Sequence, residues 1–421
     1  MPEERVALGD IHHPLGNHGV HVVYPESEEE IAAVLRYANE SGLSVIPVGG
    51  GTKQGFGGEE EKADILLSLA RMKGVVEHTA GDMTMTVRPG TTMQEIADHL
   101  EAHGQMLPID AAWPEYATIG GVIASNDSGP KRMGYGSARD FVIGLRVVYP
   151  DGRVIRTGGK VVKNVAGYDM NKLFIGSMGT LGVISEVTVK LRPIPQYESL
   201  VLLAFANMGV DKIRSFAIKL LDSMMEPTSL ELLSPSLTET LTGGSGYSLA
   251  IAFEDREKAV HNQVEWVKEH CPPHASIEIL QQQEERDWWG RFLRVSPNGA
   301  TGGDYSEIAL KIGSKNLDVI ENVEMCHESA KEQGLAVNIH GGVGHGISRA
   351  YVKGDARKLL SYTEAVRARV PYAVVTHMPF TLRKRCQVWG EQPSYFSLLA
   401  GIKQTCDPNG VLNPKRFVGG L

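Results

Sequence analysis

Apolar positions in the first half of the chain switch between helical and strand periods. Ile31, Val34, Leu35 and Ala38 recur at helical spacing, predicting a helix that starts after Ser27 and stops at Gly42. Ser27 with Glu30 reads as a capping box. The apolar run Val45 to Val48 reads as a strand that leads straight into Gly49-Gly50-Gly51-Thr52. Further strands are predicted through Leu66 and Leu67 and over Thr84 to Val87, with Thr92 and Glu95 capping a second helix. Val142 to Tyr149 and Val154 to Arg156 flank Pro150-Asp151-Gly152 as a hairpin. Val183 to Leu191 is a last strand, and Arg192-Pro193-Ile194-Pro195 reads as a linker.

Beyond residue 195 the texture changes. Strands Leu200 to Ala206, Ser229 to Leu233, Tyr247 to Phe253 and Ser276 to Leu280 enclose helices Asp211 to Leu221 and Glu257 to Glu269. That β-α-β-β-α-β order is the signature of a ferredoxin-like unit. It recurs over Ile308 to Ile312, Leu317 to Gln333, Ala336 to Ile339, Arg349 to Val352, Ala356 to Arg369 and Ala373 to Thr376, so two units are expected to share one antiparallel sheet with helices on one face. A helix from Ser394 to about Gln404 precedes the tail CDPNGVLNPKRF. The expected class is α+β. Residues 1–195 form a first domain of two subdomains divided near 75–80, 196–393 a cap domain, and 394–421 a returning helix and tail.

Composition narrows the function. A chain of 421 residues with 42% hydrophobic and 22% charged residues suits a multi-domain globular protein. The net charge of −8 and the absence of a basic tract argue against a nucleic-acid partner. MPEERVALGD lacks the pattern of a signal peptide and no apolar run of spanning length occurs, so a cytoplasmic location is expected, with membrane contact only peripheral and through partners at its inner face. Cys271, Cys326, Cys386 and Cys406 are widely spaced, which favours reduced thiols and argues against an iron–sulfur or zinc–cysteine site.

Two glycine-rich stretches carry the candidate chemistry. In PVGGGTKQGFGG, from Pro47 to Gly58, small residues allow several N–H groups to converge on one spot, a nest for phosphate oxygens. It has no GxxxxGK[ST], and no GxGxxG opens a long helix, so neither the P-loop nor the Rossmann fingerprint applies. Alone, such a stretch after a strand is only a turn in most proteins. In the second, Ala117 to Val148, small residues persist through a region of strand character. That pattern fits either close sheet packing or a flat ligand lying along the backbone.

Taken in order, PVGGGTK, ATIGG with ASNDSG, YG-RD-VIGLRVV-PDG and GTLGVISEVTVKL resemble the FAD-binding domain of the vanillyl-alcohol oxidase and p-cresol methylhydroxylase family. The tail DPNGVLNP resembles that family's returning C-terminal segment. The resemblance implies a two-subdomain FAD-binding domain with a ferredoxin-like cap and a tail that returns to the flavin. It implies pyrophosphate contacts from Gly49, Gly50, Gly51, Thr52 and Lys53. Thr118, Ile119, Gly120, Gly121, Ala124, Ser128 and Gly129 would line the flavin, with Tyr135, Gly136, Ile184 and Asn413 adding contacts. The phosphate loop has no His to tether the cofactor, so FAD is expected to be non-covalent.

Within that family VVKNVAGYDMNKLFIGSMGTLG, VWGEQP and NPKRFVGGL most resemble the FAD-binding E-subunit group of glycolate oxidases, related to the D-subunit and D-lactate dehydrogenase group. That group implies oxidation of a small 2-hydroxy acid, with an iron–sulfur subunit and a second flavin subunit as partners. The relatives' His-Ala-Gly-Asp-Gly-Asn-x-His motif appears here as NIHGGVGHGIS, with Val343 for the Asp and Ile347 for the second His. Too few ligands remain for a hard divalent metal, and none is expected.

Hydroxy-acid oxidation sends the Cα hydrogen as hydride to flavin N5, while a base takes the hydroxyl proton and a cation holds the carboxylate. His340, His345 and His377 are candidate bases, and Arg291 and Arg349 candidate carboxylate partners. Trp288 and Trp289 read as cap core or flavin mouth, and Met224-Met225 as core filling. A stand-alone FAD-linked oxidase of another alcohol, or a flavin-binding relay or structural subunit without turnover, would carry the same motifs.

Overall fold

The computed structural model describes residues 3–9, 13–160, 168–206, 208–302 and 306–421. The segment VVKNVAG, at 161–167, lies outside them.

The first sheet takes β1 (Val6–Leu8), β2 (His18–Val23), β3 (Val45–Val48) and β4 (Lys62–Ser68) in the order β1-β2-β4-β3. Helix Glu28–Ser41 covers it through Ile31, Leu35 and Ala38, all fully buried. Ser27 accepts from the Glu30 N–H, and Gly42 ends the helix at φ 66°. The Glu30 carboxylate takes the Glu26 N–H at 2.8 Å. At Thr92 the box is reciprocal.

The second sheet contains β5 (Val75–Thr79), β6 (Thr84–Val87), β8 (Val142–Val148), β9 (Val154–Gly158) and β10 (Val183–Lys190), ordered β5-β6-β10-β8-β9. The expected linker is partly strand. Arg192–Pro193 (β11) pairs with Gln105–Met106 (β7), fastening the crossing chain to the first half. The second glycine-rich stretch is also corrected, because Ile119–Ser125 is helical. Its apolar side chains Ile119, Val122 and Ile123 anchor it in the core, while Gly120 packs on Pro89, where a β-carbon would stand 2.7 Å away. Tertiary packing overrides the low helix propensity of two glycines here.

The cap is one eight-stranded sheet of β12 (Tyr197–Phe205), β13 (Ser229–Leu233), β14 (Tyr247–Asp255), β15 (Ser276–Gln281), β16 (Glu307–Gly313), β17 (Ala336–Gly342), β18 (Ile347–Lys353) and β19 (Ala373–His377). The order β15-β12-β14-β13-β17-β18-β16-β19 is two ferredoxin-like units joined through the second strand of each, β13 against β17. Helices Val210–Leu221, Glu257–His270, Asp318–Glu332 and Ala356–Arg369 cover one face. There Leu230, Leu232, Ile339, Ala350, Val352 and Leu310 form the core with Ile213, Val264, Val323 and Leu359. Side chains alternate across a strand, so Glu231, His340, Arg349, Tyr351 and Lys311 point to the other face, toward the first half. Trp288 and Trp289 are buried in a satellite core with Phe292. Met224 does not fill a core; it is 93% exposed in the turn after a helix.

Candidate functional site

The two glycine-rich stretches meet. β3 delivers Gly49 and Gly50 against the backbone that precedes helix Ile119–Ser125. A β-carbon on Gly49 would stand 2.0 Å from Thr118 Oγ1, and one on Gly50 would stand 1.7 Å from the Tyr116 carbonyl oxygen. Gly51 follows at φ 75°. No side chain fits between these segments, so the loop backbone lies flush with its neighbour.

The tail closes the other edge. Val45 N–H donates to Val411 O at 2.8 Å and Asn413 N–H to Val45 O at 2.9 Å, extending the sheet by a short parallel bridge. Asn413 Nδ2 donates to Met178 O at 2.6 Å. Arg416, buried, donates from Nε to Phe56 O at 3.1 Å and also bonds Lys53 O at 3.0 Å, and burial lowers its pKa to about 10.

These segments border a cleft lined by Gly49, Gly50, Gly51, Thr52, Lys53, Thr118, Gly121, Ala124 and Asn413, together with Asn17, Asp127, Met178 and Arg416. A second cavity shares Thr52, Lys53 and Asp127 with it and extends under the cap along Ser128, Gly129, Phe292, His340, Arg349, Tyr351 and His377.

Five expected cofactor residues face elsewhere. Ile119 and Ile184 are core, and Gly120 packs on Pro89. Tyr135 gives its hydroxyl proton to Glu254 Oε2 at 2.6 Å. Gly136, at φ 94°, ends the turn Arg132–Tyr135. Each sits within a motif whose neighbours reach the cavity, and periodicity does not separate the two sets. Arg291 is also corrected, since it is exposed on helix Gln283–Phe292 and lines neither cavity. The helix turns Phe292 inward instead.

Under the cap the polar groups form two clusters. Asp127 Oδ2 accepts from Lys53 Nζ at 2.9 Å, and its Oδ1 from Arg349 at 3.1 Å. Burial alone would raise Asp127, but Lys53 and Arg349 outweigh it and hold the carboxyl at about 2. Lys311, paired across the sheet with Arg349, is brought to about 8 by burial and by repulsion from Arg349. Lys53 and Arg349 thus share the Asp127 carboxylate with Lys311 close by, which gathers three cations beside the cavity where an anionic ligand would be attracted.

In the second cluster buried Glu231 takes His340 Nδ1–H at 2.8 Å and His345 Nε2–H at 3.1 Å. Burial opposes ionisation of Glu231, yet these two bonds hold it at about 2. A carboxylate only accepts, so Nδ1 carries the His340 proton and Nε2 takes the Tyr351 hydroxyl proton at 3.1 Å. Burial keeps His340 below the ordinary imidazole value against the pull of Glu231. His345 lines neither cavity and acts on Glu231 from behind. A bulge at Thr376, where Ala309 pairs with His377 and Leu310 with Val375, brings His377 to the cavity face.

Residues 20–158 match the FAD binding domain family model. This chain carries an FAD binding domain. It is 35% identical over 212 residues to glycolate oxidase subunit GlcD of Bacillus subtilis (strain 168), covering 50% of this chain and 45% of that protein. It is 27% identical over 425 residues to D-lactate dehydrogenase of Archaeoglobus fulgidus, covering 94% and 91%. The match thus spans about half the length of GlcD. Its fold is that of p-cresol methylhydroxylase with substrate bound, at TM-score 0.75 and 16% identity over 99% of this chain and 94% of that one. 4-Ethylphenol oxidase from Gulosibacter chungangensis has the same TM-score at 17% identity, over 94% and 89%.

The cradle fits FAD chemically. Thr118 Oγ1 and Asn413 Oδ1 are buried without a hydrogen-bond partner, which is costly for a polar atom unless a ligand satisfies it. Sequence reasoning passed over Asn17, Asp127, Glu231, Tyr351 and Arg416. Asp127 lies inside the quoted ASNDSG, and Tyr351 follows Arg349 at strand spacing, so both were legible. Glu231 was not, because its partners are over a hundred positions away.

Proposed function

We propose that this chain is an FAD-dependent oxidoreductase that oxidises a small 2-hydroxy acid. The carrying observation is the shared wall of Thr52, Lys53 and Asp127, which sets the cradle beside the Arg349 cluster and the Tyr351–His340–Glu231 chain. FAD, non-covalently held, supplies a two-electron acceptor for the Cα hydride. Gly49 to Lys53 would bind its pyrophosphate, while Thr118, Gly121, Ala124 and Asn413 would line the ring side. Arg349, backed by Lys311, orients the substrate carboxylate. Tyr351 takes the hydroxyl proton as its own passes to His340 Nε2, and Glu231 steadies the resulting imidazolium. His377, on the same wall, is the competing base.

The relative named as a glycolate oxidase subunit supports a place in a multi-subunit complex, with electrons passing to an iron–sulfur partner beside a second flavin subunit. None of the helices among the described residues is long and apolar enough to cross a membrane, which agrees with a cytoplasmic chain held at the inner face only through partners. Anaerobic mixing of the FAD-loaded chain with glycolate, D-lactate and an uncharged alcohol tests the reading. Bleaching of the flavin by a hydroxy acid and not by the alcohol is expected. Bleaching by the alcohol alone contradicts it, and bleaching by a hydroxy acid only after partner subunits are added assigns the chain to a complex.

A further inference from the structure

A second side-chain cluster lies on the far edge of the FAD-binding half, away from both cavities. Helix Met93–Glu101 presents His99 in its last turn, and His103 follows one turn on, so the two imidazoles stack with centroids 5.1 Å apart. Edge strand β5 adds His78, whose ring stands 5.2 Å from His99 and 4.7 Å from His103. One ring nitrogen from each of the three lies within 4.8 Å of those of the other two.

Which nitrogens are free follows from the surroundings. His78 Nε2 meets Gln105 Oε1 at 2.8 Å. That oxygen only accepts, and its amide is fixed because Gln105 Nε2 donates to Ala80 O at 2.8 Å. Nε2 therefore carries the His78 proton, and its Nδ1 accepts from His99 Nε2–H, 3.2 Å away, a proton that a metal ion would displace when His99 takes the other tautomer. His103 Nδ1 donates to the His99 carbonyl at 3.0 Å, leaving its Nε2 lone pair free. We infer that His78 Nδ1, His99 Nε2 and His103 Nε2 form a binding site for one divalent transition-metal ion of the zinc class.

Metal–nitrogen bonds of about 2.0–2.1 Å place two tetrahedral ligands about 3.3 Å apart, the separation already present between His78 and His99. His103 is exposed, and its ring closes the remaining distance by a small rotation. The outward N–H of His78 and of His103 each meets an oxygen acceptor, the arrangement that fixes tautomer and raises ligand basicity in histidine metal sites. Solvent supplies the fourth position. Gln105 also belongs to β7, which pairs with Arg192–Pro193 where the chain crosses to the cap, so the ion braces that crossing.

The test uses the untagged, FAD-loaded protein after chelation. Zinc is titrated by calorimetry and cobalt by visible absorption, with the melting temperature followed in parallel. Saturable binding of one ion per chain is expected, with a rise in melting temperature. Exposed His103→Asn should weaken binding at least about tenfold and Gln105→Leu about 10–100-fold although it never touches the ion, with FAD content unchanged in both. Substituting the exposed His274 by Asn should change nothing. Absence of saturable one-to-one uptake, or equal affinity in His103→Asn and the parent, overturns the inference whether or not a hydroxy acid reduces the flavin.

Discussion

Gly50→Ala places the strongest demand on the cradle. The added methyl would stand 1.7 Å from the Tyr116 carbonyl oxygen, where ordinary contact begins at 3.4 Å, and 3.5 Å from Thr118 Cγ2. The obstructing atom is backbone, so the glycine loop and the segment before helix Ile119–Ser125 must part by more than about 1.5 Å. Overpacking of that kind costs about 1–3 kcal/mol. Levied on the geometry that FAD requires, it weakens FAD about 5–150-fold. Apoprotein is titrated into FAD while quenching of flavin fluorescence is read, and apoprotein melting is followed alongside. Gly81→Ala is the matched control, since nothing lies within 4 Å of its β-carbon. A Gly50→Ala protein that melts near the parent and binds FAD within about twofold of it refutes the packing argument.

Three further outcomes follow from the cap. Arg349→Met should lower kcat/KM for a hydroxy acid about 10–150-fold, the value of a charged hydrogen bond, and Arg349→Lys should recover part of it; steady-state kinetics decide. Glu231→Gln leaves the shape but removes the carboxylate that takes protons from His340 and His345, and single-turnover flavin reduction should slow by about 10²-fold while FAD affinity holds. Glu285 is 1% exposed, with Oε2 unpartnered, and burial, opposed by Lys131, raises its pKa to about 8. Since the folded pKa lies above the unfolded one, the protonated carboxyl favours the fold at low pH. That contribution fades as pH rises from the unfolded value near 4.5 through 8. Glu285→Gln should therefore raise the melting temperature at pH 9 and leave it nearly unchanged at pH 4, and an equal effect at both excludes the buried-acid reading.

The sequence was most informative where one local rule acted alone. The helix stop at Gly42, the Thr92 box and the element order of both ferredoxin-like units follow from capping and periodicity, and they stand as read. It was least informative where tertiary contact decides. The stretch holding Ile119–Ser125 reads as a region of strand character and is a helix, and the proximity of Pro89 explains Gly120. Arg291 and Arg349 were indistinguishable as isolated arginines, yet one lies on an exposed helix face and the other on the buried face of β18. His340 was read as a loop residue and is a strand residue, which is why it can share a row with Arg349 and Lys311.

The central claim is that a groove walled by Pro47 to Lys53, Thr118 to Ala124 and Asn413 holds FAD without a covalent bond. The direct measurement is to denature the purified yellow protein with acid, pellet it, and assay flavin in both fractions. The account predicts one equivalent of intact FAD per chain in the supernatant. Flavin retained in the pellet contradicts non-covalent binding, and a colourless protein that takes up no added FAD contradicts the cradle itself.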